Sequence, residues 1–383
     1  GKGKREMKRL SKVLVCLAAT LAMVLLSRVL FSTGLLDFTK LPEFKEGSYT
    51  DYYYLELDST QKKTYTAIRE SIYTFPVQIE IPAPDSGSLS HVLDALLCDD
   101  PYLFMFDSGS LMTVGKHNYF VPDYLMGIEK YEQTKEQVEK AADDMLAGLP
   151  DSSDYDKELF IHDAIINSCV YSDEDIISES TVEGVFVEGR AKCSGYSRAF
   201  KLLLEKAGIE SVLIHGTATD YDGNSVKHMW NAVNLDGGWY FTDITWDDPV
   251  SDDGENYCRH TFFNMDTAML NRTHSEYSFT YPCTDISQYY YAHNNAYYNV
   301  YNKDTILSIA QLIAESENGE VEFMFADASL FETAVQKLFK GEEIYRSLET
   351  ANLKKDGRLV TTSVRYSLDY NANLITIFFE YKD

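Results

Sequence analysis

The 383-residue chain holds no C-x-x-C pair and no H-E-x-x-H, which argues against a thiolate zinc site or a zincin. Six cysteines are too few for a disulfide-stapled miniprotein. Basic residues are scarce, 34 against 60 acidic ones; a net charge of −26 excludes the basic face that phosphate binding needs, and with it a nucleic-acid partner. There is no internal repeat and no low-complexity linker. What is present is a globular composition, 45% hydrophobic and 13% aromatic, with 28 Tyr and 20 Phe, which excludes a wholly disordered chain. Single cores stop growing at roughly 250–300 residues, so two or three domains are expected.

The scarce positive charge is concentrated at the start. Residues 1–36 carry seven basic residues against one acid, a net of +6, so the rest carries −32. Val13 to Leu26 is a run of 14 residues whose only polar member is Thr20. A basic lead followed by such a run reads as an export signal, or as an uncleaved membrane anchor if Arg28 snorkels and the stretch extends to Leu36. Residues 37–383 would then lie outside the membrane, at the cell surface or secreted. The alternative is a buried core helix with a basic lead. Cys16 lacks the small residues expected before a lipidated cysteine, and Ser32-Thr33-Gly34 is only a weak cleavage site.

Beyond residue 36 the pattern divides into an N-terminal α+β region to about residue 150, a central segment over 151–280, and a small α+β domain over 285–383. Tyr65, Ile68, Ile72 and Tyr73 predict a helix over 59–74. Strands are expected around Val77–Ile81, Tyr102–Phe106 and Leu111–Val121, and acidic helices over 134–149 and 154–169 with the Pro150-Asp151-Ser152-Ser153 turn as a domain seam. The C-terminal region reads as helices over 304–315 and 329–339, a strand over 321–325, and a hairpin closing through Asn371-Ala372-Asn373.

The chemistry concentrates in the central segment. Tyr196, Phe200, Leu203, Leu204 and Ala207 form a helical stripe ending at Gly208, which puts Cys193 at a helix N-terminus, where free N–H groups and the helix dipole favour a thiolate. Gly195 would let a substrate backbone come close. Downstream, Lys227–Leu235 and Trp239–Thr242 flank Asp236-Gly237, a favoured two-residue hairpin turn. Pairing Leu235 with Gly238 sets Trp230 opposite Asp243 and puts His228 diagonal to Asp243 on the same face. A Cys–His–Asp set has a clear logic: His228 takes and returns the thiol proton, Asp243 orients the imidazole, and the Cys193 N–H stabilises an oxyanion. Taken singly, each residue is equally at home as a buried thiol, a strand histidine or a turn carboxylate.

The blocks Gly189-Arg190-Ala191-Lys192-Cys193-Ser194-Gly195-Tyr196-Ser197-Arg198-Ala199-Phe200, His228-Met229-Trp230-Asn231-Ala232-Val233 and Gly238-Trp239-Tyr240-Phe241-Thr242-Asp243-Ile244-Thr245-Trp246-Asp247-Asp248 together resemble the bacterial transglutaminase-like superfamily. Ile161-His162-Asp163 and Tyr171 match the helix that usually opens that domain, and the resemblance covers about residues 150–275. It implies an α+β, papain-like core in which a helix bearing the Cys packs on an antiparallel sheet, with Cys193 as nucleophile, His228 as base and Asp243 as orienting acid. Trp230, Trp246 and Tyr196 are candidates for lining the substrate groove, Trp230 and Trp246 being equally suited to the core. Relatives often carry an aromatic residue where this chain has Glu183.

The reading implied is an extracytoplasmic thiol enzyme acting on amide bonds of a protein or peptide through an acyl-thioester. Hydrolysis makes it a peptidase or amidase; transfer to an amine makes it a transglutaminase. The alternative is a catalytically idle binding module of the cell envelope. No cofactor or metal is implied: the calcium loop of animal transglutaminases has no signature here, and Asp247-Asp248 and Asp252-Asp253 read as solvated turn acids. Outside residues 1–36 there are five cysteines, Cys98, Cys169, Cys193, Cys258 and Cys283, an odd number for which no disulfide is expected. Cys193 is expected to be the reactive thiol, with a depressed pKa.

Overall fold

A computed structural model describes residues 41–83, 86–220, 223–249 and 258–382. The proposed export segment, Cys16, Ser32-Thr33-Gly34 and Asp252-Asp253 lie outside the described residues. None of the described helices is long and apolar enough to cross a membrane. All five described cysteines are free.

The chain forms two compact units. Among the described residues the smaller comprises 41–50, 54–83, 86–93 and 108–123; the larger comprises 51–53, 94–107, 124–220, 223–249 and 258–382. In the smaller unit the helix Ser59–Ser71 starts at an Asp58 capping box, in which Asp58 accepts the Gln61 N–H and Gln61 accepts the Asp58 N–H. It buries Tyr65 and Ile68, with Ile72 following in a single 3₁₀ turn. Its sheet runs in the order Ile79–Ile81, His117–Tyr124, Phe106–Val114, the last two joined through Gly115-Lys116. Val77 stays outside the strand and 83% exposed. The stretch Tyr102–Met105 is a turn and not the expected strand; it buries Leu103, Phe104 and Met105, and the strand begins only at Phe106.

The larger unit carries the central segment. Helices Ile128–Leu146 and Asp154–Ser168 precede it, the second capped by Ser153. The helix Cys193–Lys206 buries Tyr196, Ala199, Phe200, Leu203 and Leu204 and ends at Gly208, whose φ of +82° suits only a residue without a side chain. It lies on an antiparallel four-stranded sheet in the order Gly238–Thr242, Ser225–Leu235, Ser211–Thr219, His274–Ser275. Asp236 and Gly237 both have positive φ, the two-residue turn whose twist matches the strands, so Leu235 pairs with Gly238 and Asn231 with Thr242. The fold is therefore α+β, with a cysteine-bearing helix packed on an antiparallel sheet.

Towards the C-terminus, a second four-stranded sheet orders Tyr297–Tyr298, Glu320–Phe325, Leu374–Phe378 and Arg365–Asp369. Helices Lys303–Glu315, Ala328–Val335 and Glu343–Lys354 accompany it. The last of these was not anticipated. The first two and the closing hairpin agree with the sequence pattern.

Candidate active site

The segment leading into Cys193 is fixed before the helix begins. Val170–Tyr171 pairs in parallel with Arg190–Ala191, Gly189 turns with φ +69°, and the Lys192 N–H donates to the Glu179 carbonyl at 2.8 Å. Lys192 is then the extended N-cap residue. Cys193 and Ser194 thus occupy the first turn, whose N–H groups have no acceptor within the helix. Gly195 has a different role from the one expected. A Cβ there would come within 2.4 Å of the Glu179 carbonyl oxygen and 3.0 Å of the Thr181 carbonyl oxygen, so its missing side chain lets the helix pack on its own supporting chain rather than on a substrate.

His228 projects from the central strand and is buried. Its Nε2–H donates to Asp243 Oδ2 at 2.7 Å, and the Cys193 thiol, which lines the same cavity, lies near enough to influence the ring's charge. Because Nε2 is engaged by the carboxylate, Nδ1 is the ring nitrogen left to exchange a proton with the thiol. The hairpin parity thus produces the His228–Asp243 pair it predicted. Burial alone would pull the His228 pKa down, but Asp243 and the adjacent thiol outweigh it and raise it to about 10.

Asp243 is fully buried and accepts four hydrogen bonds. Oδ1 takes the Thr245 and Trp246 N–H groups at 3.1 and 3.3 Å, and Oδ2 takes His228 and also His274 Nε2 at 3.1 Å. Burial pushes this carboxyl up, yet the two imidazoles hold it well below the usual carboxylate range. His274 is the residue that sequence reading missed. It comes from the short edge strand 31 residues after Asp243, with no local motif to announce it. Its Nδ1 sits 2.8 Å from the Thr273 hydroxyl, an arrangement in which the ring donates through Nε2 to the carboxylate. His228, Asp243 and His274 are close enough together to ligate an ion. A metal on His228 Nε2 would, however, confine the remaining ring proton to Nδ1 and remove the base facing Cys193.

Cys193 and His228 line one cavity of about 570 Å³ with Asp94, Leu97, His215, Lys227 and Met229. A second hollow of about 360 Å³ is walled by Leu97, Leu103, Phe104, Phe106, Leu125, Ile176 and Ile177. The two share Leu97, Ser194, Arg198 and Met229 as a dividing ridge. Arg198 donates to the Ser180 and Ser194 carbonyls at 3.0 and 3.3 Å. It is a cation close enough to Cys193 to interact with it.

Two of the three expected groove residues lie in the core. Trp230 is 0% exposed, its ring 6.1 Å from His228 and 4.7 Å from His274, so it walls the site from within the core. Tyr196 is also fully buried and donates its hydroxyl to Asp248. Neither offers surface to a substrate. Trp246 is half-buried, with ring centroids 5.5 Å from His228 and 4.9 Å from His274, and covers both imidazoles. Asp247 and Asp248 are not solvated turn acids: both are buried, Asp247 bonded to His162 and to the Phe262 N–H. Burial pushes the Asp248 carboxyl up to about 6. Glu183 is buried and ion-paired with Lys130 at 3.2 Å.

Residues 140–244 match the profile of the transglutaminase-like superfamily, a span that contains Cys193, His228 and Asp243. Among curated proteins, the mouse (Mus musculus) kyphoscoliosis peptidase is 32% identical over 65 residues, 15% of this chain and 10% of its own length. The chain thus spans only about a tenth of that relative. Among solved structures, a TGase is 17% identical at a TM-score of 0.27, covering 44% of this chain and 50% of its own. A candidate cysteine protease from Cytophaga hutchinsonii is 11% identical at a TM-score of 0.24, over 36% of this chain and 61% of its own. Through the segment 140–244, this chain carries a domain of the transglutaminase-like superfamily.

Proposed function

We propose that the chain is a thiol enzyme that acts on amide bonds of a protein or peptide through an acyl-thioester on Cys193. The observation that supports this most is that Cys193, at a helix start, and His228, hydrogen-bonded to the buried, four-bonded Asp243, line one open cavity. In this reading His228 Nδ1 holds the thiol proton while the sulfur attacks the carbonyl carbon. The free N–H groups of the first helical turn face the developing oxyanion. His228 then passes the proton to the departing amine, leaving the thioester. Asp243 keeps the ring in register throughout and steadies its cation. A peptide crossing the Ser194–Met229 ridge would set one side chain in the apolar hollow and its scissile carbonyl beside Cys193.

Either water or an amine can resolve the thioester. We favour water, because the cavity is open to solvent and the curated relative is named a peptidase. Incubating the protein with casein and a fluorescent amine, scoring both incorporated label and new N-termini, separates the outcomes. New N-termini without label are expected, and they should vanish in Cys193→Ala. Neither product with a folded protein would overturn the enzyme reading in favour of a binding module. The +6 to −32 charge split also places the body outside a membrane in this reading, and full-length chain found wholly in the cytosol would overturn that part.

A further inference from the structure

Behind the Asp243 turn lies a second cluster that the proposed chemistry does not use. His162 and Asp163 come from the helix Asp154–Ser168; Cys258 and His260 come from a segment almost a hundred residues later. Their ligand atoms all lie within 4.8 Å of one another. Three of them converge on one oxygen: Asp163 Oδ1 is 2.9 Å from His162 Nδ1, 2.8 Å from His260 Nε2 and 3.3 Å from Cys258 Sγ. Cys258 Sγ is 3.9 Å from His260 Nε2. A tetrahedral zinc ion with bonds of roughly 2.0–2.3 Å needs ligand atoms roughly 3.2–3.8 Å apart. Four of the six edges bracket that range and all six lie within 4.8 Å, so closing the set on one ion needs shifts on the order of an ångström.

From these side chains we propose a zinc site formed by His162 Nδ1, Asp163, Cys258 Sγ and His260 Nε2. The donor set, two imidazoles with one thiolate and one carboxylate, suits Zn²⁺ rather than the oxygen-seeking Mg²⁺ or Ca²⁺. Four protein ligands leave no open position, which makes the site structural. The surrounding shell has the form that metal-binding imidazoles require. His162 Nε2–H donates to the buried Asp247 Oδ2 at 3.2 Å, fixing the tautomer that leaves Nδ1 free to ligate. Asp247 also holds the other ligand segment, accepting the Arg259 N–H at 2.8 Å through its carbonyl and the Phe262 N–H at 2.9 Å through Oδ1. His162 packs edge-on against Phe263, and His260 stacks on Tyr290 at 4.0 Å. Access is open, since the Asp163 side chain is 40% exposed.

The site joins the Cys258–Phe262 segment to the helix, and that segment in turn accepts the Asp243 N–H at the Phe262 carbonyl, 2.9 Å away. Zinc here would secure the turn that aims Asp243 without touching the reacting atoms. The absence of C-x-x-C excludes only local motifs; here the ligands are a His-Asp step and a Cys-x-His step brought together by the fold.

The test is independent of activity at Cys193. Full-length protein, stripped with a chelator, is titrated with Co²⁺ and then Zn²⁺. One Co²⁺ per chain is expected, with a thiolate-to-cobalt charge-transfer band and tetrahedral d–d bands that Zn²⁺ abolishes. The charge-transfer band should be lost in Cys258→Ser and retained in Cys193→Ala. Zinc should also block alkylation of Cys258 in the unsubstituted protein, a measurement that needs no variant to fold. No cobalt–thiolate band in the unsubstituted protein, a band that survives Cys258→Ser, or zinc without effect on Cys258 alkylation would overturn the proposal.

Discussion

Glu158 offers a stability test of the packing beneath the site. It is fully buried on the helix Asp154–Ser168, with Oε2 accepting Asn264 Nδ2–H at 2.8 Å and Oε1 3.2 Å from the Thr242 hydroxyl. Thr242 Oγ1 also accepts the Asn264 N–H at 3.1 Å and lies 3.3 Å from Asn264 Oδ1. Protonated, Glu158 closes this ring: its O–H donates to Thr242, the Thr242 hydroxyl donates to Asn264 Oδ1, and the Asn264 amide donates back. Ionised, it places a charge in the core, where its two hydrogen bonds and the His162 imidazole only partly offset the loss of solvent. Burial accordingly raises its pKa from 4.5 to about 7. A carboxyl raised in the folded state penalises folding only when ionised. The penalty is absent below 4.5, grows as pH rises and is complete above about 7. At ~1.4 kcal/mol per pH unit it reaches roughly 3 kcal/mol. Glu158→Gln has the same shape, and its amide can donate to Thr242 while its oxygen accepts from Asn264. The variant should therefore exceed the unsubstituted protein in stability by roughly 3 kcal/mol at alkaline pH and match it near the carboxyl's ordinary pKa. Trp230, Trp239 and Trp246 all lie in the larger unit, so tryptophan fluorescence during urea unfolding reads that unit. Equal stability differences at the two pH values, or a less stable Gln variant at alkaline pH, would refute the reasoning.

Two further outcomes follow from the geometry. Gly195→Ala should destabilise the protein by about 1–3 kcal/mol and abolish activity, because the new Cβ meets carbonyl oxygens at 2.4 and 3.0 Å that cannot swing aside; thermal unfolding by circular dichroism checks it. Asp243→Asn should lower the alkaline limb of the kcat/KM profile, since Asp243 is what holds the His228 imidazolium to about 10 against burial; an unmoved limb would remove Asp243 from that role.

The sequence made the local parts of the site legible and hid the distant ones. Leu235–Gly238 pairing across Asp236-Gly237 determines which strand residues share a face, so His228 and Asp243 could be matched by counting. The stripe from Tyr196 to Ala207 likewise located Cys193 at a helix start. Periodicity does not say how deep a residue lies: Trp230 and Tyr196 sit next to catalytic candidates in sequence yet point into the core. Asp247 and Asp248 read as turn acids because their partners, His162 and Tyr196, are 85 and 52 residues away. His274, Cys258 and His260 reach the site only through long-range packing, which no spacing rule encodes. The Tyr102–Met105 turn carries the unbroken apolar run of a buried strand, and such a run alone does not separate the two.

Peptide mapping of the order in which the cysteines are alkylated at mildly acidic pH tests the central claim most directly. Burial pushes Cys98, Cys169 and Cys283 up to about 12, so these thiols should stay unreacted. Cys193 should be labelled first, ahead of Cys258, and His228→Ala should slow its labelling by removing the base on which the thiolate depends. An inert Cys193, or labelling at the same rate without His228, would contradict the account.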